Sequence, residues 1–210
     1  FVSGIADPAA TPPLTNQQIT CGYSESQPFR SLQRALIEAA RLSIKAGVSN
    51  DLYDRVVIRV AAGQHQIDNA PSTGLTVNSW GTDKDPTADE LRAFNSDDMG
   101  VILPRGVSII GGDLRKAVIL PSSVPVPNSD PKTDRGSIFK TTGGSFFFNF
   151  TFKDSPGNTT SHHLLQCFSF CSEVDLDEYY QKIATAFGEP SSDVDIVNPG
   201  GTGKPNLAIS

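Results

Sequence analysis

Residues 143–154 read GGSFFFNFTFKD and place Phe146, Phe148, Phe150 and Phe152 at alternate positions. A period of two is the mark of a β-strand with one buried face. Ser145, Phe147, Asn149 and Thr151 occupy the other register, so the pattern predicts one continuous strand over 145–153, aromatic on one side and mostly polar on the other. Four stacked phenylalanines require a deep core beneath them, and the flanking sequence indicates which architecture supplies it.

Short apolar segments lie at close intervals around this stretch: Val101 to Leu103, Val107 to Ile110, Ala117 to Leu120, Ser137 to Lys140 and Leu164 to Cys171, each bounded by Gly, Pro or Asp. Further upstream, Val56, Ile58 and Val60 alternate with Val57 and Arg59 in a predicted strand from Arg55 to Ala61. Before that strand, Phe29, Leu32, Leu36, Ala40 and Ile44 recur at threes and fours. This spacing predicts an amphipathic helix from Phe29 to Lys45, with Pro28 where a first helical turn tolerates it and Gly47 as its end. A second helix is expected from Asp175 to Phe187, where Leu176, Tyr179, Tyr180 and Ile183 share a face. Asp175, Asp177 and Glu178 suit the positive end of its dipole.

Short strands without intervening helices exclude a doubly wound α/β sheet and leave an antiparallel sandwich or a parallel β-helix. Two details favour the β-helix. A helix directly before the first strand can cover the open end of a solenoid core, and the polar insertions 68–99 and 121–135 differ in length, as loops at the corners of successive coils do. The expected organisation is an extended Pro-rich arm over 1–27 and a capping helix with β-helix coils over 28–172. A short helix and loop over 173–210 then lead to a further coil, of which GTGKPNLAIS reads as the start. The first residue, Phe1, and this apolar ending fit a slice of a larger protein.

The segments PFRSLQRALIEAA, VVIRVAAGQHQI and LPRGVSIIGGDLRKAVIL together resemble the opening of pectin-lyase-like right-handed β-helix domains. There a capping helix leads to a strand ending in a Gly-containing turn, then to a second turn and strand of the pattern Pro-x-Gly-Val-x-Ile-x-Gly. Gly63 matches the first turn, and Pro104, Gly106, Val107, Ile109 and Gly111 match the second. The run GSIFKTTGGSFFFNFTFKD looks like the next coil, with Phe146 to Phe152 stacked over Val107 to Ile110. The combination of GGDLRK, IFKTTGG and SHHLL resembles structural proteins of tailed bacteriophages, notably those of marine cyanobacteria. The resemblance covers about residues 29–187 and implies a mainly β fold, a pectin-lyase-like right-handed parallel β-helix with an N-terminal capping helix and long inserted loops.

Composition narrows the partners. The net charge is −6 and no Lys/Arg cluster appears, which weighs against a nucleic-acid surface. No segment approaches the ~18 consecutive apolar residues of a membrane helix, and the N-terminal residues lack the blocks of a signal peptide. Of the three cysteines, Cys167 and Cys171 fall on one face of a strand about 13 Å apart, too far for a mutual disulfide, and read as small buried hydrophobes together with Cys21.

The sharper chemical readings are weak. Pectate lyases of this fold carry calcium-binding aspartates and a catalytic arginine on one strand face; Arg59, Lys140 and Lys153 are the basic residues that the predicted strands offer, and none faces an evident aspartate pair. Asn95-Ser96-Asp97-Asp98 imitates the first half of a polygalacturonase pattern but lacks the His-Gly that should follow. His162 and His163 are adjacent, so an extended backbone points them to opposite faces and they cannot readily share one ion. Asp83, Asp85 and Asp89 lack the glycine and closing glutamate of a calcium loop. Gly111-Gly112 and Gly143-Gly144 lack the continuation of a phosphate loop and read as turn glycines, and the Asn149 and Asn158 sequons as chance triplets. No catalytic, cofactor-binding or metal-ligating residue is therefore expected, and no enzyme activity.

What the resemblance implies is a structural component of a phage virion, in the tail, fibre or baseplate, serving as a rigid spacer or docking platform. Its implied partners are other virion proteins, with the arm 1–27 docking on a neighbour, and itself, as a homotrimer. The alternative is a receptor-binding tailspike that binds or depolymerises host surface polysaccharide through the acidic loop Asp83 to Asp98. A third reading is a secreted bacterial adhesin or glycan-binding module.

Overall fold

The computed structural model describes residues 22, 25–26, 28–45, 56–80, 86–123, 135–141, 145–153 and 164–187. They form a mainly β architecture of three parallel sheets with three helices. The order is α1 (Leu32–Lys45), β1 (Val56–Val60), β2 (Gly63–Ile67), α2 (Ala88–Arg92), β3 (Val101–Leu103), β4 (Val107–Gly111) and β5 (Ala117–Pro121). There follow β6 (Arg135–Thr141), β7 (Phe147–Phe148), β8 (Thr151–Phe152), β9 (Leu164–Phe170) and α3 (Glu173–Phe187). Each of β1 to β6 pairs in parallel with the strand three places on, giving sheets β1-β4-β7, β2-β5-β8 and β3-β6-β9. The chain therefore visits the three sheets in the same order three times.

The register aligns side chains into inward columns. Ile58, Ile109 and Phe147 align across the first sheet, His65, Ile119 and Phe152 across the second, and Val101, Phe139 and Phe168 across the third. The members from the first two rounds are buried, and they form one apolar cluster with Leu32, Ala35, Leu36 and Ala39 of α1, apart from His65. Burying such columns is the main favourable term of a fold like this, at roughly 1.5–3 kcal/mol for each large apolar side chain.

The third round is aromatic. Phe147, Phe152 and Phe168, one from each sheet, meet with ring centroids 4.4, 5.0 and 6.1 Å apart, and all three contact Phe139 from the round before. Offset and edge-on geometries of this kind match positive ring edges to negative faces.

The stretch 145–153 departs from its expected form. It is two short strands in two sheets, separated by a corner at Asn149, whose φ is +63°. Asn149 Nδ2 donates to the Gly111 carbonyl at 2.9 Å, which holds that left-handed conformation. The corner breaks the period of two. Phe147, Phe150 and Phe152 pack on the core, whereas Phe146 and Phe148 are 49% and 64% exposed. The expected pairing with Val107 to Ile110 is present as Ile109 beside Phe147 and Ile110 beside Phe148.

The corner also requires a glycine on the neighbouring strand. A Cβ at Gly111 would stand 2.2 Å from the Asn149 carbonyl oxygen, a backbone atom with little room to retreat. At the turn before β4, Gly106 takes φ +72° and the Val107 N–H donates to the Pro104 carbonyl at 3.2 Å.

α1 begins at Leu32, not Phe29. Ser31 terminates it, its hydroxyl accepting from Arg34 N–H and its carbonyl from Ala35 N–H, so Pro28 lies before the helix and not within its first turn. Gly47, the expected stop, lies outside the described residues. The helix is buried on more than its expected stripe: Leu32 and Leu36 face the inward columns, while Ile37 and Ala40 join a second core with Trp80, Phe94, Ile102, Tyr179, Tyr180 and Ile183. Glu38, nearly buried, is held by the guanidinium groups of Arg34 and Arg41.

α3 starts two residues earlier than expected, where Ser172 and Asp175 exchange side-chain-to-backbone hydrogen bonds. Tyr179, Tyr180 and Ile183 are buried on the predicted face and Leu176 lies partly buried beside them. The helix packs back against α1, with Trp80 N–H donating to the Ala186 carbonyl. Among the described residues no helix is long and apolar enough to cross a membrane.

Candidate functional site

The long segment between β2 and β3 carries the acidic residues, and its base is fixed by buried amides. Asn69, fully buried, donates to the carbonyls of Ser123 and Ser137 at 3.1 and 3.2 Å and accepts from Ser123 N–H at 2.9 Å. Asn95 donates to the carbonyls of Asp68 and Ala70, both at 2.7 Å, and accepts from Gln33 Nε2 on α1. Gln33 in turn accepts from Asp68 N–H at 3.0 Å. Buried amides this well satisfied rigidify their surroundings, because each lost partner would leave an unpaired polar atom in a low dielectric.

This frame divides the Asn95-Ser96-Asp97-Asp98 run. Asn95 and Ser96 are buried and committed to the scaffold, while Asp97 and Asp98 are exposed. Ser72 Oγ donates to Asp97 Oδ1 at 2.5 Å, and Lys140 Nζ lies 4.0 Å from Asp98 Oδ2. Arg92 lies 3.7 Å from the Asp68 carboxylate and 2.8 Å from that of Asp89. Glu90 is used locally: its carboxylate accepts from Thr87 N–H while the Thr87 hydroxyl accepts from Glu90 N–H, closing a capping box on α2. Asp68 and Asp89 thus share Arg92 while Asp97, Asp98 and Glu90 have other partners, and no three of His, Cys, Asp and Glu converge as a metal-binding group among the described residues.

Asp83, Asp85, His162, His163, Cys21, Asn158 and Gly143-Gly144 lie outside the described residues. So do residues 1–21 of the expected arm and the GTGKPNLAIS run. Arg59 and Lys153 are exposed. Gly111 ends β4 and serves the close approach already described, and the Asn149 sequon sits at the corner, its amide engaged.

The cysteines differ from expectation. Cys167 is exposed and Cys171 only partly buried, just beyond the end of β9. Burial still pushes the Cys171 thiol up to about 12, with Asp175 adding to the effect and Lys140 opposing it. It stays protonated at neutral pH and is a poor nucleophile.

Two features escaped sequence reasoning. β2 carries polar residues at alternate positions, GQHQI, and its inward position is His65, whose ring is buried with Nε2 2.9 Å from the Ala61 carbonyl. Burial holds that imidazole below its ordinary value, the Ala61 contact opposing the shift. The register of His65 with Ile67 was the available signal. The second feature is an exposed aromatic surface: Phe146 and Phe148 on the outside of the first sheet, and Phe168 and Phe170 on β9, the last at 90% exposure. Its chemistry is apolar contact rather than proton transfer.

Comparison with known proteins returns no family model, no curated protein and no solved structure that matches the chain.

Proposed function

We propose that this chain is a pectin-lyase-like right-handed parallel β-helix acting as a non-catalytic structural protein of a tailed-phage virion, a spacer or docking platform in the tail, fibre or baseplate. The observation that carries the reading is the strand order: each of β1 to β6 pairs in parallel with the third strand after it, which builds all three sheets. A coil that repeats without change of order gives a stiff rod with lateral walls, since each round is tied to the next by backbone hydrogen bonds and an inward side-chain column. The packing of α1 on the first-round columns supports the cap expected in such a coil. The engagement of Asp68 and Asp89 by Arg92, of Asp97 by Ser72 and of Asp98 by Lys140 supports a scaffold over a cleft.

Antibodies raised against the purified chain should decorate one fixed position on the assembled phage particle. The folded protein, incubated with host envelope polysaccharide, should release neither new reducing ends nor unsaturated products. Decoration that is absent from every particle would overturn the virion assignment. Product release by folded protein would replace the spacer with a depolymerising tailspike.

A further inference from the structure

Charge is unevenly matched over the described surface. Arg34, Arg41, Arg92, Lys140 and Lys182 each lie beside a carboxylate. Arg59, Arg115, Lys116 and Lys153 are exposed and enter no ion pair among the described residues. No stretch of sequence brings these four together, but the coil does. Arg59 stands one residue before the end of β1, Arg115 and Lys116 lie in the turn from β4 to β5, and Lys153 directly follows β8. All four border the corner at which the chain passes from the first sheet to the second. The connections that make this corner, 61–62, 112–116 and 149–150, hold a single acidic residue, Asp113. Its carboxylate accepts from the backbone N–H groups of Arg115 and Lys116 at 2.9 and 3.0 Å.

The adjoining wall is apolar. Arg59, Ile110 and Phe148 form one row across β1, β4 and β7, spanning about 10 Å, and they face outward because Ile58, Ile109 and Phe147 beside them pack on the core. In the next row Val57 pairs with Ser108, whose hydroxyl accepts from Phe146 N–H at 3.1 Å. Val57, Phe146 and Phe148 are 43%, 49% and 64% exposed, and Leu114, in the corner turn, is 56% exposed. Four of the six large apolar side chains exposed among the described residues therefore belong to this wall and its corner. Apolar side chains gathered on a surface and rimmed by charge are the composition of a protein-binding face, in which phenylalanine and arginine are enriched.

We propose that this wall and corner dock a polypeptide segment of another protein in which carboxylates stand beside apolar side chains, an inference that rests on the docking-platform reading and gives it a surface. Charge complementarity selects the occupant. A carboxylate placed at Arg59, Arg115, Lys116 or Lys153 gains an ion pair without breaking one, while its apolar neighbours cover the phenylalanines. A second copy answers these cations less well, because its Asp68, Asp89, Asp98 and Glu178 already hold cations of their own. An anionic polysaccharide would set its hydroxyls against Val57, Ile110, Phe146 and Phe148, whose side chains offer no hydrogen bond. A nucleic acid would bring its dense charge to a chain of net charge −6.

The test uses the full chain and three fluorescent probes: a peptide alternating glutamate with leucine, alginate, and an oligothymidylate. Anisotropy titrations at low and near-physiological salt should show the peptide binding most tightly, with a glutamine–leucine control about tenfold weaker or more. Reversing two charges at the corner, Arg115→Glu with Lys116→Glu, should weaken the peptide about tenfold. Phe148→Ala should weaken it by a similar factor of about ten, whereas Phe170→Ala, on the third sheet, should leave it unchanged. Absence of peptide binding overturns the proposal, as does binding that both corner and Phe148 variants retain. Tighter binding of alginate or oligothymidylate also overturns it and gives the wall to that polymer. Phe148→Cys should react with a soluble maleimide as readily as the exposed Cys167; slower labelling would mean that the chain covers the wall itself, which overturns the proposal too. Particle decoration judges the virion reading separately. Decorated particles without peptide binding keep that reading and remove this surface, and peptide binding with undecorated particles does the reverse.

Discussion

Replacing Phe139 with alanine is the perturbation that most directly probes the inward columns. Phe139 is fully buried in the middle of its sheet, and its ring contacts Phe147, Phe152 and Phe168 at centroid distances of 5.6, 6.0 and 6.2 Å. Truncating a buried phenylalanine costs about 3–5 kcal/mol through lost transfer energy and the cavity left behind. The three aromatic contacts place this site in the upper part of that range, about 4–5 kcal/mol, since each such pair adds ~0.5–1.5 kcal/mol in favourable cases and overlaps with the burial term. Set against a total stability of ~5–15 kcal/mol for an ordinary domain, the variant should be close to unfolding. Phe148→Ala, at a side chain 64% exposed, should by contrast change stability by under ~0.5 kcal/mol. Urea unfolding followed by circular dichroism and by the fluorescence of the single tryptophan, Trp80, measures both, and coincident transitions would license a two-state treatment. Equal losses for the two variants, or a larger loss at Phe148, would refute the assignment of inward and outward phenylalanines.

Gly111→Ala should destabilise by roughly 1–3 kcal/mol or more, because the new methyl group meets the Asn149 carbonyl at 2.2 Å; a melting temperature unchanged from wild type would show that the corner can yield. His65 predicts a pH dependence. Burial lowers its pKa in the folded state, so the unfolded chain binds the proton more readily; stability is fully present above the ordinary value of 6.5 and is lost as pH falls through the depressed value. A His65→Gln chain should lack that part of the acid-side decline, and identical pH profiles for the two chains would count against a buried, neutral imidazole.

The sequence revealed elements more readily than phases. The α1 stripe, the Val56-Ile58-Val60 alternation and the tyrosine face of α3 were legible because each is a single periodic segment packed on one side. The phenylalanine run was misread because a period of two presumes an unbroken strand, and nothing in SFFFNFTF other than Asn149 marks the corner. Asparagine tolerates left-handed backbone, so that residue was the available cue. β2 was missed for the opposite reason: Gln64 and Gln66 are outward, and the inward His65 looks polar until its burial is known. Cys167 reads as buried on strand membership alone, whereas it stands next to the inward Phe168 and therefore points to the other face of β9. The anchoring of the acidic segment was not legible in the sequence because the amides that hold it come from residues 33, 69 and 95, far apart along the chain.

The contact between α1 and α3 constrains how the molecule is made. Arg34 and Arg41 of α1 lie 5.7 and 5.3 Å from the Phe187 ring at the end of α3. The second core therefore cannot close until residue 187 has left the ribosome, by which time the three rounds of strands have already emerged. Contacts of such long sequence separation form late and slowly. The nascent chain consequently carries the outer face of α1, with Ile37 and Ala40, uncovered while the three rounds of strands are being made, and this is the interval in which a chaperone would engage it.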